Sequence, residues 1–327
     1  PTGIAAVTRT EKLEDEELSA SVGTGRFEVN GDLHSNALDG ESFMGTLLRA
    51  RLDRMSRTWI STLAFQDFSP GFRADNGFIS SNSYRNIDLV NTYYFRFEDH
   101  PVFTYIRPNA TVWRKYNYDG VVKDTGLRTQ LAFYLKNQTF IQFSAFIFNR
   151  ENLRGKQFGD ARSAWIYFQN RTHKAVFLTA FVQTGRVINR FGVEGDPRNP
   201  FEIVPSLRYN TEITIKPASR ISNTLSYNDF SLWREYGRAR IVSQQIIRNG
   251  VSYQFNKSMS LRLIGEYNMV NFYAPWLGKR VDRTYFTLDP LFSYKFNAFS
   301  VFYLGGHIGG NNNIVYDWDA VQVMNQS

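Results

Sequence analysis

The chain of 327 residues has no cysteine and only four histidines. The missing cysteines exclude disulfide bonds, thiol catalysis and cysteine-ligated zinc, and four histidines leave little material for a histidine-rich metal site. No apolar run approaches the roughly 18 residues that a transmembrane helix needs. Helical patterns are also scarce, since residues 11–18 are the one stretch with a helix-like composition. A disulfide-stapled miniprotein and a helical membrane protein are therefore excluded.

What the chain does contain is 43% hydrophobic, 16% aromatic and 21% charged residues, which excludes intrinsic disorder. Its length is ample for a buried core. The formal net charge is +8, but the basic residues are interspersed with acids. Because there is no basic stripe and no recognisable nucleic-acid motif, we expect no nucleic-acid partner.

A period of two dominates the rest of the sequence. In residues 208–216, polar and charged side chains alternate with Tyr209, Thr211, Ile213 and Ile215. The same alternation recurs in residues 102–114, 127–136, 260–269 and 284–296. Successive side chains of a strand point to opposite faces, so each segment predicts a β-strand with one apolar and one polar face.

The connections between these strands alternate in length. Short links lie near residues 54–56, 99–101, 137, 172–174, 217–219, 256–258 and 297–298, and longer ones at 69–84, 115–125, 150–162, 189–200, 232–238 and 271–282. Tryptophans such as Trp59 and Trp113 stand near strand ends, as in interfacial girdles. We therefore predict an all-β fold, a transmembrane antiparallel up-and-down β-barrel with about 14–16 strands. A soluble antiparallel barrel or sandwich is the alternative.

The predicted organisation is an N-terminal tail or connecting loop at 1–18, the β-barrel at 19–310, and a loop with a partial final strand at 311–327. The predicted location is the bacterial outer membrane, with the long loops extracellular and the short turns periplasmic. The chain begins without a secretory signal and ends without an aromatic-ended strand. We therefore expect it to be a piece of a longer protein.

Several segments resemble an uncharacterised family of large outer-membrane proteins, in which a carbohydrate-binding N-terminal region similar to family-nine modules precedes a C-terminal β-barrel. The similar segments are residues 68–72 with 76–85, 113–120, 253–262, 289–297 and 301–305. The most specific are Tyr-Gln-Phe-Asn-Lys-Ser-Met-Ser-Leu-Arg at 253–262 and Asp-Pro-Leu-Phe-Ser-Tyr-Lys-Phe-Asn at 289–297. The resemblance implies an outer-membrane barrel and no established activity.

The polar face of the predicted strands is the first candidate site. It is predicted to carry Arg49, Arg51, Arg96, Arg107, Arg114, Arg128, Arg208 and Arg262 together with Glu212 and Glu266. Charged groups that line a water-filled lumen set the selectivity of solute passage, and an excess of arginine favours anionic solutes such as acidic sugars. The alternative is a lumen filled by arginines and glutamates that pair across it.

The second candidate site is the predicted basic loop at residues 150–162. It contains Arg150, Arg154, Lys156 and Arg162, which suit an acidic surface polymer or the phosphates of lipopolysaccharide. A solvated loop without a ligand is the alternative.

The predicted function is a porin-like channel or transport barrel for hydrophilic solutes. The alternative is a plugged structural barrel that anchors a surface assembly or a carbohydrate-binding module. No hydrolase, phosphate-loop or metalloprotease motif occurs in the sequence, so we predict no enzyme activity, cofactor or metal site. The expected partners are outer-membrane lipids, lipopolysaccharide and other subunits of an envelope complex.

Overall fold

Every regular element of the described residues is a β-strand. The computed structural model describes residues 2–10, 26–29, 32–35, 43–72, 83–192, 195, 200–234, 240–274, 279–297, 299–316 and 321–324. No helix in these ranges is long and apolar enough to cross a membrane. The β-branched and aromatic residues at alternate positions favour the extended conformation that the strands adopt.

The chain divides into two compact units, and three of its strands contribute residues to both. Unit 1 comprises Pro1–Tyr94, Pro108–Thr129 and Ile147–Gly159; unit 2 comprises Phe95–Arg107, Gln130–Phe146 and Asp160–Ser327. Unit 1 holds β1 (Thr2–Thr10), β2 (Arg26–Val29), β3 (Asp32–Ser35), β4 (Phe43–Met55), β5 (Trp59–Phe68), β6 (Tyr84–Tyr93) and β11 (Lys156–Phe158). The shared strands are β8 (Phe103–Tyr116), β9 (Val122–Leu135) and β10 (Thr139–Leu153). Unit 2 holds β7 (Phe95–Arg96), β12 (Ser163–Asn170), β13 (Val176–Ile188), β14 (Ile203–Ala218), β15 (Ile221–Trp233), β16 (Arg240–Gln254), β17 (Met259–Ala274), β18 (Lys279–Lys295), β19 (Val301–Gly305), β20 (Ile308–Tyr316) and β21 (Val321–Met324).

Nineteen strand segments form one antiparallel sheet, and β2 pairs with β3 in a separate hairpin. From β12 to β18 each strand pairs with the next one in the chain, so the connectivity is up-and-down. Three strands are interrupted, because β6 and β7 both pair with β8, β11 and β12 with β10, and β19 and β20 with β18. Counting each of these once leaves sixteen of the nineteen segments as separate strands over the described residues. The predicted all-β, antiparallel up-and-down fold is confirmed, although the sheet is not closed over those residues.

In both units one face of the sheet is apolar and exposed. In unit 2 this apolar face includes Ile247, Tyr267 and Phe286, which face one another across β16, β17 and β18 and remain between 40% and 44% exposed. In unit 1 it includes Leu63 and Leu89, which face each other across β5 and β6. The opposite side of the same strands is the polar face. Large apolar side chains that stay exposed on one face of a long up-and-down sheet are the arrangement of transmembrane β-barrels.

The structure differs from the predicted organisation most clearly at the N-terminal end of the chain. Residues 2–10, expected to be a tail or connecting loop, form β1 and pair with β4. The predicted loop and partial strand at 311–327 includes the end of β20 and all of β21. Edge pairing satisfies backbone groups that a tail would leave to water. The helix-like stretch at 11–18 lies outside the described residues.

The longer connections are also shorter than predicted, except at residues 69–83 and 189–202. The predicted basic loop at 150–162 is mostly a hairpin, because β10 continues to Leu153 and pairs with β11. Arg154 and Gly155 form its two-residue turn with φ of 52° and 78°. Two consecutive positive φ angles give the turn that best matches the twist of paired strands.

Candidate functional site

The polar face of unit 2 carries a row of charged side chains that crosses four neighbouring strands. In register, Glu212 of β14 faces Ser226 of β15, Ser226 faces Arg248 of β16, and Arg248 faces Glu266 of β17. Each of them is placed by the period-two alternation of its strand, which turns every second side chain to this face. Arg248 Nη1 lies 3.8 Å from Glu266 Oε2. The row therefore joins an acid, a hydroxyl, a base and a second acid.

Two adjoining cavities lie on this face. The first, the row cavity, has a volume of about 430 Å³ and contains the charged row together with Arg262. The second, the turn cavity, has a volume of about 530 Å³ and lies toward the β14–β15 and β16–β17 turns. Ser222, Ser252 and Arg262 line both cavities. Volumes of this size accommodate a small hydrophilic solute such as a sugar unit.

The two cavities differ in charge. The turn cavity is lined by Lys216, Arg220 and Arg262, and its described lining contains no carboxylate. The row cavity has Arg248 and Arg262 balanced by Glu212 and Glu266. Within the described part of the chain, no ion pair is recorded for Arg262, so its guanidinium is available to an anion. The site therefore grades from balanced charge to positive charge toward the turns.

Several hydroxyl groups line the turn cavity. Ser260 of β17 and Ser293 of β18 face each other, with their oxygen atoms 2.6 Å apart. In the row cavity, the oxygen atom of Thr224 lies 2.9 Å from that of Thr214. Hydroxyl groups both donate and accept hydrogen bonds, so they suit sugar hydroxyls without selecting one charge.

At the opposite end of the same strands the polar face becomes apolar. Leu232 of β15 faces Val242 of β16, which faces Phe272 of β17, which faces Val281 of β18. Leu232, Val242 and Val281 are at most 5% exposed. Val204 joins Leu232 and Val242 in this apolar cluster. The polar face is thus filled near the β15–β16 connection and open near the turns.

Most of the predicted polar-face arginines outside the cavities contact aromatic rings or a carboxylate. In unit 1, the Arg49 guanidinium lies 4.9 Å from the Phe68 ring centroid, and Arg51 Nε lies 2.8 Å from Asp53 Oδ2. In unit 2, the distances to ring centroids are 5.7 Å for Arg96 to Tyr105, 5.3 Å for Arg107 to Tyr134 and 5.9 Å for Arg208 to Phe181. Arg128 Nε is buried with no hydrogen-bond partner among the described residues. The predicted set is therefore dispersed, and only Glu212, Arg262 and Glu266 come together in the cavities.

One assignment of the polar-face prediction is wrong. Arg114 faces Ile87 on the apolar face, because it follows Val112 by two residues on β8. Trp113 lies on the polar face, as its alternation with Val112 predicts, rather than in an interfacial girdle, and it donates from Nε1 to Asp124 at 2.9 Å. Gly126 leaves room for this indole, since a Cβ there would lie 2.3 Å from it.

The basic hairpin at residues 150–162 does not gather its cations into one site. Arg150 lies 5.6 Å from the Phe148 ring and Lys156 lies 5.2 Å from the Phe158 ring. Arg162 pairs with Asp160 at 2.7 Å. Arg154 occupies the turn. Contacts with their own neighbours hold these cations along the hairpin.

The sequence interpretation missed Arg248 and the cavity serines. Arg248 alternates with the apolar Ile247 and stands two residues before Gly250 and four before Ser252, which are also on the polar face. That period-two signal in β16 was sufficient to find it. The turn cavity depends on which strands are neighbours, and no single segment contains that information.

The chain was compared with protein-family models, with curated proteins and with solved structures. No family model matches the chain, and no curated protein matches it. Among solved structures, the chain is similar to OmpTdeltaL8, a loop L8 deletion mutant of the outer membrane protein OmpT of Vibrio cholerae. The TM-score is 0.33 at 10% sequence identity, over 82% of this chain and 93% of that one.

Proposed function

We propose that this chain is an outer-membrane β-barrel whose polar face carries hydrophilic solutes, with a preference for anions. The exposed apolar face supports the membrane location, because side chains such as Ile247 and Phe286 suit lipid rather than water. The proposal retains long loops outside the cell and short turns in the periplasm, and it assigns no catalytic step or cofactor.

The pair of cavities on the polar face of unit 2 supports the solute role most directly. A path for solutes must bind weakly and at several successive sites, so that a solute enters and also leaves. The row cavity and the turn cavity adjoin each other and share Arg262. The excess of positive charge in the turn cavity raises the local concentration of anions and lowers that of cations.

A plugged barrel that anchors an envelope assembly is the second candidate function. The apolar cluster around Leu232 and Val242 favours it, because this cluster fills the polar face at one end of the strands. In that case the cavities would be a vestibule that binds a solute or a partner segment without passage.

Planar-bilayer recording of the purified full chain tests the proposal. We expect discrete conductance steps, with a reversal potential in a salt gradient that reports anion preference. A protein that inserts into the bilayer and stays silent would contradict solute passage and favour the plugged barrel. A protein that does not insert, while folded in detergent, would contradict the membrane location itself.

A further inference from the structure

The apolar face of unit 1 has three zones along its strands. Near the β4–β5 turn, Trp59 and Tyr93 face each other, with the indole Nε1 3.2 Å from Asn91 Oδ1. In the middle, Leu63, Leu89 and Val112 form one row across β5, β6 and β8. At the far end the same face carries arginines instead of apolar residues.

The change from apolar to basic happens within one register step. Ile87 of β6 faces Arg114 of β8, and the next outward pair is Arg85 with Tyr116. Tyr93 and Arg85 are eight residues apart on β6, or about 26 Å along the strand at about 3.3 Å per residue. With strands tilted by about 40°, that length projects to about 20 Å along the membrane normal, against an apolar band of about 25 Å in an outer-membrane barrel. The arginines therefore stand near the edge of the apolar band.

The arginines are held by their neighbours, so that their positions are defined. Arg85 Nε donates to Asp67 Oδ2 at 3.0 Å, and its guanidinium lies 4.4 Å from the Tyr118 ring. The Arg114 guanidinium lies 5.1 Å from the Tyr116 ring and is exposed. Tyr118, in the connection after β8, also donates to Asp67. Burial, reinforced by that hydrogen bond, raises the pKa of Tyr118 to about 12, so this phenol keeps its proton at neutral pH.

A third cation extends the same patch. Lys123 is exposed and lies eight residues before the exposed Leu131 on β9, which puts both side chains on one face. The patch of Arg85, Arg114 and Lys123 thus has three positive charges against one from Asp67. No carboxylate partner is recorded for Arg114 over the described ranges.

We propose that this patch binds the phosphate groups of phosphorylated glycolipids in the outer leaflet of the membrane. Guanidinium groups bind phosphate through paired charge-assisted hydrogen bonds, and the neighbouring tyrosine rings suit the boundary between acyl chains and headgroups. The inference depends on the proposed membrane location, but not on solute passage. It also moves the lipid contact from the hairpin at 150–162 to a patch that includes Arg114, which the polar-face prediction turns inward.

Titration of the full chain in neutral detergent micelles with diphosphorylated lipid A tests the proposal, with retained lipid read by native mass spectrometry. We expect Arg114→Gln to weaken retention about tenfold, as expected for the loss of a hydrogen bond to a charged group. Arg54→Gln is the matched control. Arg54 stands on the same apolar face at the opposite end, 4.1 Å from the Trp59 ring, and its substitution should leave retention unchanged.

A comparison with lipid A that lacks phosphate needs no variant. It therefore tests the proposal even if Arg114→Gln fails to fold. The wild-type chain should retain this lipid at least tenfold more weakly than the diphosphorylated form. Equal retention of the two lipids, or equal losses in Arg114→Gln and Arg54→Gln, would overturn the proposal. Binding of inorganic phosphate without the lipid would also contradict it. Bilayer conductance of Arg114→Gln separates the two proposals, because this substitution should not change solute passage.

Discussion

The two ends of the polar face in unit 2 are built on the same strands and yet differ completely in character. Near the turns, Ser222, Ser252 and Arg262 line open cavities. About ten residues further along the same strands, Leu232 and Val242 are buried in an apolar cluster. The alternation of the strands continues through both ends. Alternation therefore fixes which face a side chain joins, whereas the side chains that neighbouring strands bring together at each depth decide whether that face is filled or open.

The largest expected effect comes from removing packing at the filled end. Leu232→Ala should lower the free energy of unfolding by about 3 kcal/mol, because Leu232 is 1% exposed and its loss leaves a cavity. Leu291→Ala, on the same face at the open end, should cost less than half as much. Urea unfolding of the chain in vesicles measures both. Equal losses at the two positions would break the distinction between a filled and an open end.

A second test compares how well the apolar face and the polar face of the strands tolerate a charged side chain. Arginine at Ile213 or Leu263 of the apolar face should lower stability by about 2–4 kcal/mol if these positions face the middle of the bilayer. Asn268→Arg, on the polar face of β17, should be tolerated. Insertion yield and unfolding in vesicles are the measurements, and equal tolerance at all three positions would contradict the face assignment.

The third prediction concerns charge at the open end. Arg262→Gln should lower the anion-to-cation permeability ratio by about fivefold, which corresponds to about 1 kcal/mol of interaction in a water-like medium. Arg208→Gln is the control nearer the filled end, where the guanidinium lies 5.9 Å from the Phe181 ring. The reversal potential in a salt gradient reports both. A larger effect at Arg208 than at Arg262 would reverse the comparison.

The smallest expected effect belongs to the ion pair of the charged row. Arg248 and Glu266 side chains are 52% and 31% exposed, so water and salt screen their attraction. A double-mutant cycle with Arg248→Gln and Glu266→Gln should give a coupling below about 1 kcal/mol that fades at high salt. A coupling of several kcal/mol would mean that the row is shielded from water and that the open end is not open.

The sequence alone predicts the strands and their faces well, because a period of two is a local property. Ile213, Leu263 and Phe286 fall on the apolar face as expected. The predicted face of Arg114 is wrong because its spacing from Val112, and not its charge, decides which face it joins. The hairpin at Arg154 was missed because a left-handed turn at a non-glycine residue has no strong local signal.

The site was less predictable than the fold, for a physical reason. Leu232 and Leu291 are both leucines on the polar face, and nothing in their own segments separates the buried one from the one that lines a cavity. That difference depends on neighbours in other strands, as Val204 and Val242 surround Leu232. Glu212, Arg262 and Glu266 could be named in advance, but their meeting in one place follows from register.

Cysteine accessibility tests the contrast between the two ends most directly, because the natural chain has no cysteine and each substitution is the single thiol. The informative positions are Ser252→Cys at the open end, Val242→Cys at the filled end and Leu263→Cys on the apolar face. In reconstituted vesicles permeabilised to a charged, membrane-impermeant thiol reagent, we expect rapid labelling at 252 and protection at 242 and 263. Rapid labelling at 242 together with protection at 252 would contradict the contrast between the two ends.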